Sequence, residues 1–137
     1  GFTYSYIGNY YLDINNYDSA QHYHSLALAT RKKTNDTRSI ADSYLLLGQA
    51  FFGEKDYDEA LKNYALALEK YKFIDDKKRL GETYRNYSEI FIQKNELSLA
   101  EHYLSLSLEI AQKIGALDNL IPIYDALAKV QEKKRNV

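Results

Sequence analysis

The chain has 137 residues, enough for one domain with a continuous core, and 45% of them are hydrophobic while 27% are charged. Its 18 basic and 19 acidic side chains give a formal net charge of −1, so the balance gives no reason to expect a polyanion or a membrane surface as partner. The absence of cysteine excludes disulfides and thiol chemistry. Because the sequence begins with glycine and contains no methionine, we expect it to be a segment of a larger protein.

Three stretches that begin 40 residues apart share one skeleton of Tyr, Ala and Leu. They are NYDSAQHYHSLALATR at 16–31, DYDEALKNYALALEKY at 56–71 and ELSLAEHYLSLSLEIA at 96–111. Aligning the chain at this spacing gives further columns, among them Tyr4, Tyr44, Tyr84 and Tyr124; Gly8, Gly48, Ser88 and Ala128; and Ala20, Ala60 and Ala100. A period this strict predicts stacked copies of one supersecondary unit.

Each copy predicts two helices joined by a short turn. In the second copy, the apolar positions that fall on one face of the first helix are Ile40, Tyr44, Leu47, Gly48 and Phe51. The turn GEKD follows, where Asp56 and Glu59 fit a capping box, and Asn16 fits the equivalent cap in the first copy. The predicted repeats, within a single array over residues 1–137, are about 1–36, 37–76 and 77–116, with a final helix at about 119–135.

These columns resemble the tetratricopeptide repeat, whose pattern is aromatic, Leu, Gly, Tyr, then Ala, aromatic, Ala. The resemblance covers essentially the whole chain, with two departures: the period is 40 instead of about 34, and the usual proline after the second helix is absent. An extra apolar column at Ile40, Leu80 and Leu120 indicates that the added residues lengthen the helices. The resemblance implies an all-α, right-handed α-solenoid of three full helix–turn–helix repeats plus one further helix.

Catalytic and metal-binding chemistry is not predicted. His22 and His24 are two residues apart, so on a helix they point in different directions and cannot chelate one metal. We expect His24 to pack in the core and His22 and His102 to face solvent. No phosphate-binding or nucleophile motif is present, so we expect no enzyme activity and no cofactor. The basic triplets at 31–33, 77–79 and 133–135 are interpreted as helix-end residues that favour the helix dipole, so no nucleic-acid partner is expected.

The resemblance also implies a binding surface, because the first helices of tetratricopeptide repeats line the concave wall of the array. The candidate groove residues are Ser5, Asn9, Leu12, Gln49, Phe52, Arg85, Glu89, Ile92 and Lys129. They form a polar row beside an apolar row, which can hold an extended or helical peptide. The alternative for the apolar row is burial against the neighbouring repeat. A cationic clamp for a terminal carboxylate, known in some arrays of this family, is not expected, since of its positions Ser5, Asn9, Leu46, Glu82 and Asn86 only Asn9 fits.

The predicted function is therefore a non-enzymatic module that binds a protein or peptide partner, as the regulatory or sensor array of a larger signalling protein. The alternative is a structural oligomerisation segment that stacks end-to-end with further repeats, and we expect self-association through the terminal helices. A nucleic-acid-binding array ranks below both. The composition does not fix the compartment; we favour the cytoplasm, with an extracytoplasmic sensor region as the alternative.

Overall fold

A computed structural model describes residues 2–136 of the chain, which form seven α-helices and no strand. The helices are α1 (Phe2–Asp13), α2 (Tyr17–Thr34), α3 (Thr37–Gly53), α4 (Tyr57–Ile74), α5 (Lys77–Gln93), α6 (Leu97–Ile114) and α7 (Leu117–Arg135). The all-α class of helix–turn–helix repeats predicted from the sequence is confirmed. The last helix begins at Leu117, slightly before the predicted start near Asn119.

The helices fall into two compact units, one that runs through Ile74 and one that starts at Asp75. In the first unit each helix packs on the next one along the chain, and α1 also contacts α3. In the second unit α6 packs between α5 and α7, and α5 also contacts α7. Within each unit the first helices of successive repeats therefore lie side by side. The arrangement of the whole chain as one continuous array stays a prediction.

Every turn in the described chain contains one residue in the left-handed backbone region. These residues recur with the 40-residue period, as Asn15, Lys55 and Asn95 inside the repeats and as Asn35, Asp75 and Gly115 between them. Glycine and asparagine adopt this conformation more easily than other residues do. The repeated copies therefore share the same turn backbone even where Lys55 makes that backbone less favourable.

Side-chain caps start four of the helices. The Asn16 Oδ1 accepts from the Ser19 backbone N–H at 3.3 Å, and the Asp56 Oδ1 accepts from the Glu59 backbone N–H at 3.3 Å. Both caps were predicted from the sequence. Two further caps have the same geometry, formed by Asp36 before α3 and by Asp76 before α5. Each cap satisfies one backbone donor that the first helical turn leaves without a partner.

The interpretation of one basic triplet is wrong. Residues 31–33 and 133–135 lie in the last turns of α2 and α7, where cations favour the dipole. Residues 77–79 instead form the first turn of α5, where cations are unfavourable. Carboxylates compensate there: Lys77 pairs with Asp75 at 3.1 Å, and Arg79 pairs with Glu82 at 3.0 Å.

The small-residue columns mark where two helices of one repeat approach most closely. Ala20, Ala60 and Ala100 are all completely buried. A Cβ added to Gly48 would lie 2.4 Å from the Tyr64 ring, so only glycine allows this approach of α3 and α4. Buried small residues therefore occur on both helices of a repeat, as Gly48 on the first helix and Ala60 on the second show.

Candidate protein-interaction surface

In the first unit, four of the predicted groove residues lie on the two helices that adjoin each other. Asn9 and Leu12 belong to α1, Gln49 and Phe52 belong to α3, and all four are half-buried. In each helix the amide precedes the apolar residue by three positions, so both lie on the same face. The Phe52 ring is supported by Tyr57, with 5.7 Å between the ring centroids. This face therefore offers amide groups beside partly exposed apolar surface.

In the second unit, the predicted residues are charged and lie on α5 and α7. Arg85 and Glu89 on α5 are half-buried, and Lys129 on α7 is exposed. Because α5 and α7 contact each other, these three side chains belong to one pair of adjoining first helices. Their alternating charges fit a polar partner segment better than an apolar one.

Two predicted groove residues are not accessible. Ile92 is only 1% exposed and Ser5 is also buried. Leu45, which shares the alignment column of Ser5, is buried in the same way, because α3 has α1, α2 and α4 as neighbours. Burial was predicted from the sequence as the alternative to binding for the apolar row, and Ile92 is buried. The other seven predicted residues remain accessible, four of them in the first unit and three in the second.

Two carboxylates on first helices, one in each unit, form hydrogen bonds within the protein. The Tyr71 hydroxyl on α4 donates to the Asp42 carboxylate on α3. In the second unit Glu82 accepts from Arg79 at 3.0 Å. Glu82 stands where the carboxylate clamp of some family members requires a cation, and Ser5, at another clamp position, is buried. The structure thus provides no cationic pair at those positions.

A part-buried polar bridge links α2 to α3 and was not predicted. The Arg31 guanidinium donates through Nη1 to the Ser39 carbonyl at 3.0 Å and to the Ser43 hydroxyl at 2.7 Å. Ser43 is completely buried, so this hydrogen bond satisfies a hydroxyl that water does not reach. The alignment column that contains Arg31 continues with Tyr71 and Ala111. The only sequence signal for the bridge was therefore that the arginine is not repeated in this column.

His24 is completely buried between α1 and α2, which confirms the prediction of a packed histidine. Neither ring nitrogen has a hydrogen-bonding partner among the described residues. Burial lowers the pKa of His24 to about 4, and the positive charge of Arg31 contributes to that shift. The imidazole is therefore neutral at physiological pH. His22 and His102 are exposed, as predicted.

Acidic side chains cluster where α3 ends near the start of α2. A hydrogen bond with Asp18 and the charge of Asp56 raise the pKa of the Glu54 carboxyl. Despite this cluster, no group of three or more His, Asp or Glu side chains within residues 2–136 is arranged to hold a metal ion. No helix in the same range combines the length and apolar composition that crossing a bilayer requires.

The paired helices, the small-residue columns and the adjoining first helices define a helical-repeat protein. A family model described as tetratricopeptide repeat matches the chain over residues 1–72 and again over residues 39–113. The chain therefore belongs to the tetratricopeptide repeat family. Repeats of this family generally mediate protein–protein interactions, and the fold is typically a non-catalytic scaffold.

Among solved structures, the chain is similar to the crystal structure of BtubC (BKLC) from P. vanneervenii. The two share 20% sequence identity with a TM-score of 0.73, and the match covers 98% of this chain. It covers 59% of the other chain, so the present sequence spans less than two thirds of that protein. At this identity the likeness shows the fold alone. No curated protein matches the sequence.

Proposed function

We propose that the chain is a non-enzymatic module that binds a protein or peptide segment along the adjoining first helices of its repeats. The observation that carries this proposal is the pairing of half-buried amides with half-buried apolar side chains on α1 and α3. The family's general role in protein–protein interaction supports it.

In this binding mode, Asn9 and Gln49 pair with the backbone of the bound segment. Each amide has a donor and an acceptor, so it can satisfy both kinds of peptide group. Leu12 and Phe52 take apolar side chains of the same segment, which supply most of the buried area. Because Leu12 and Phe52 lie beside the amides, the bound segment must direct both its polar backbone and its apolar side chains towards the face formed by α1 and α3.

The wider role we infer is that of a regulatory or sensor array in a larger signalling protein. The support for it is the resemblance to long-helix tetratricopeptide arrays. In such a setting the module would recognise a segment of a partner protein and transmit its presence to a neighbouring domain.

The test begins with selection of binding peptides from a random peptide library by the 137-residue chain. Binding is then measured by titration calorimetry for the double variant Asn9→Ala/Gln49→Ala and for Phe52→Ser. Losing two backbone hydrogen bonds should raise the Kd about tenfold. The matched control is His22→Ala/Lys62→Ala, which removes two exposed side chains from the second helices. If the Kd of the selected peptides rises only in the control variant, the peptides bind elsewhere on the protein and the proposed surface is refuted.

The alternative function, a structural segment that stacks end-to-end on further repeats, has its own support. Tyr6 and Tyr10 on α1 and Ile14 in the turn directly after it are exposed and lie four residues apart. The corresponding position of Tyr10 in α3 is Ala50, which is completely buried. If stacking on these exposed residues is the function, Tyr10→Ser should reduce self-association while peptide binding is absent.

A further inference from the structure

The last helix, α7, carries an exposed apolar stripe on the side opposite its packed face. Its packed face consists of Ile123, Ala126 and Val130, which are all buried. The stripe consists of Leu117, Ile121, Tyr124 and Ala128, spaced as one face of a helix. Leu117 is 73% exposed, Ile121 70% and Tyr124 50%, and Ala128 is also exposed.

The internal helix pairs show what such a stripe normally holds. In the alignment, Ala128 shares its column with Gly8 and Gly48. The ring of His24 covers Gly8, and the ring of Tyr64 covers Gly48. In both pairs an aromatic ring from an antiparallel helix fills the space above a small residue. At Ala128 this space is open, and Tyr124 presents an exposed ring one helical turn away.

The charges of α7 are divided between its two halves. The first half carries Asp118 and Asp125, and the second half carries Lys129, Lys133, Lys134 and Arg135, with Glu132 as the exception. Lys134 is paired with Glu101 of α6, and Asp118 lies 3.6 Å from Lys78 of α5. An antiparallel copy of α7 brings the acidic half of each helix opposite the basic half of the other. The helix is therefore complementary to itself.

We propose that α7 pairs with α7 of a second copy of this chain, antiparallel about a two-fold axis. The Tyr124 ring of each copy fills the space above Ala128 of the other copy, as Tyr64 does above Gly48. This register is centred on Ala126, the middle of Leu117–Arg135, so the two helices overlap along their full length. The same register brings the Asp118 carboxylate of one copy beside Arg135 of the other.

A two-fold axis repeats every contact, because the same surface of each copy meets itself. Each dimer thus contains two Tyr124–Ala128 contacts and two Asp118–Arg135 pairs. The interface is formed by one helix from each copy, which is small compared with standard protein interfaces, so we expect a reversible dimer with a dissociation constant on the order of micromolar.

The first test is sedimentation velocity of the 137-residue chain over about a hundredfold range of concentration. The expected result is a monomer–dimer equilibrium that Tyr124→Ser and Ala128→Arg each shift by at least about tenfold towards monomer. The matched control is Tyr10→Ser on α1, which removes a tyrosine of comparable exposure, 59%, and should leave the equilibrium unchanged. Far-ultraviolet circular dichroism checks that each variant remains helical.

The second test concerns the register. Asp118→Arg and Arg135→Asp should each weaken the dimer, and the double variant should restore it, because both charges are exchanged in both copies. A chain that stays monomeric over the whole range overturns the proposal. So does a dimer that Tyr10→Ser dissociates while Tyr124→Ser does not, or a double variant that fails to recover association. A synthetic peptide of residues 56–74, which covers a second helix, provides one more check. If this peptide binds the monomer at α7 and prevents dimerisation, the proposal is overturned, because the exposed stripe of α7 would then bind a second-helix segment.

Discussion

The ring of His24 packs against Gly8 so closely that a Cβ added to Gly8 would lie 2.7 Å from Nε2 of the imidazole. In the next repeat, the Tyr64 ring occupies the same place above Gly48. The two helices of each repeat in the first unit are therefore held at a distance that requires a small residue in this column. Two kinds of measurable behaviour follow, one from the close approach and one from the buried imidazole.

Gly48→Ala should destabilise the protein by about 1–3 kcal/mol, because the added methyl group overlaps the Tyr64 ring and the ring is completely enclosed. The matched control is Gly81→Ala in α5. There the new Cβ would meet the Ile110 Cγ2 at 3.2 Å, a contact that a small side-chain adjustment relieves. Alanine also favours the helix over glycine by roughly 0.5–1 kcal/mol, so Gly81→Ala should be neutral or stabilising. Urea denaturation measures both, and equal losses would contradict the difference in packing.

Because of His24, the stability of the folded protein should decrease as the pH is lowered. The folded-state pKa of about 4 lies below the usual value of 6.5, so the unfolded chain takes up the proton first as the pH falls. The part of the unfolding free energy that depends on a neutral His24 is fully present above pH 6.5. It is lost progressively down to about pH 4, and the total loss is about 3 kcal/mol. His24→Phe should remove this part of the pH dependence of the unfolding free energy. The exposed His22→Gln is the control and should retain it.

The same dependence should respond to Arg31, whose positive charge helps to lower the pKa of His24. In Arg31→Gln the folded-state pKa of His24 should rise, so the loss of stability between pH 6.5 and 4 becomes smaller. The variant should also be less stable at neutral pH by about 1–3 kcal/mol, since the buried Ser43 hydroxyl loses its donor. An unchanged pH dependence would show that Arg31 acts only through this hydrogen bond.

The strict period made much of this fold predictable. It gave the helix pairs, the buried column of His24 and Tyr64, and the caps at Asn16 and Asp56. These features depend on local sequence and on contacts that every copy repeats, so aligned columns reveal them. Asp36 and Asp76 cap helices in the same way but were not predicted, because the corresponding residue of the third copy is Ala116, which has no capping side chain.

The period did not reveal how deeply a residue is buried, because burial depends on how closely neighbouring helices approach. It placed Ser5 and Ile92 on the candidate surface, and both are buried. The face of a helix follows from its sequence, but the depth of a residue between helices depends on the neighbouring side chains. The bridge from Arg31 to Ser43 was missed for another reason: the column of Arg31 continues with Tyr71 and Ala111, so the alignment does not repeat the arginine.

The turn residue Lys55 should be improvable. Its φ of 65° lies in the left-handed region, which costs a residue with a side chain roughly 1–2 kcal/mol compared with glycine. Part of this is offset by the greater chain entropy of glycine, so Lys55→Gly should stabilise the protein by about 0.5–1 kcal/mol. Asn95→Gly is the control, because Asn95 has a similar φ of 60° but asparagine tolerates it. A gain at Asn95 as large as the gain at Lys55 would contradict the explanation by backbone strain.

The alanine column should be as sensitive to added volume as the glycine column. Ala60 is completely buried in α4, whereas Lys62, two residues further along the same helix, is exposed. Ala60→Leu adds a branched side chain where α4 meets α3, and should cost roughly 1–3 kcal/mol of unfolding free energy. Lys62→Leu introduces the same side chain on the exposed face and should change stability by less than about 0.5 kcal/mol. Alanine, lysine and leucine are all strong helix formers, so helix propensity contributes little to the expected difference. Guanidinium denaturation of the two variants compares them directly, and a large loss at Lys62 or none at Ala60 would show that the faces of α4 are assigned the wrong way round.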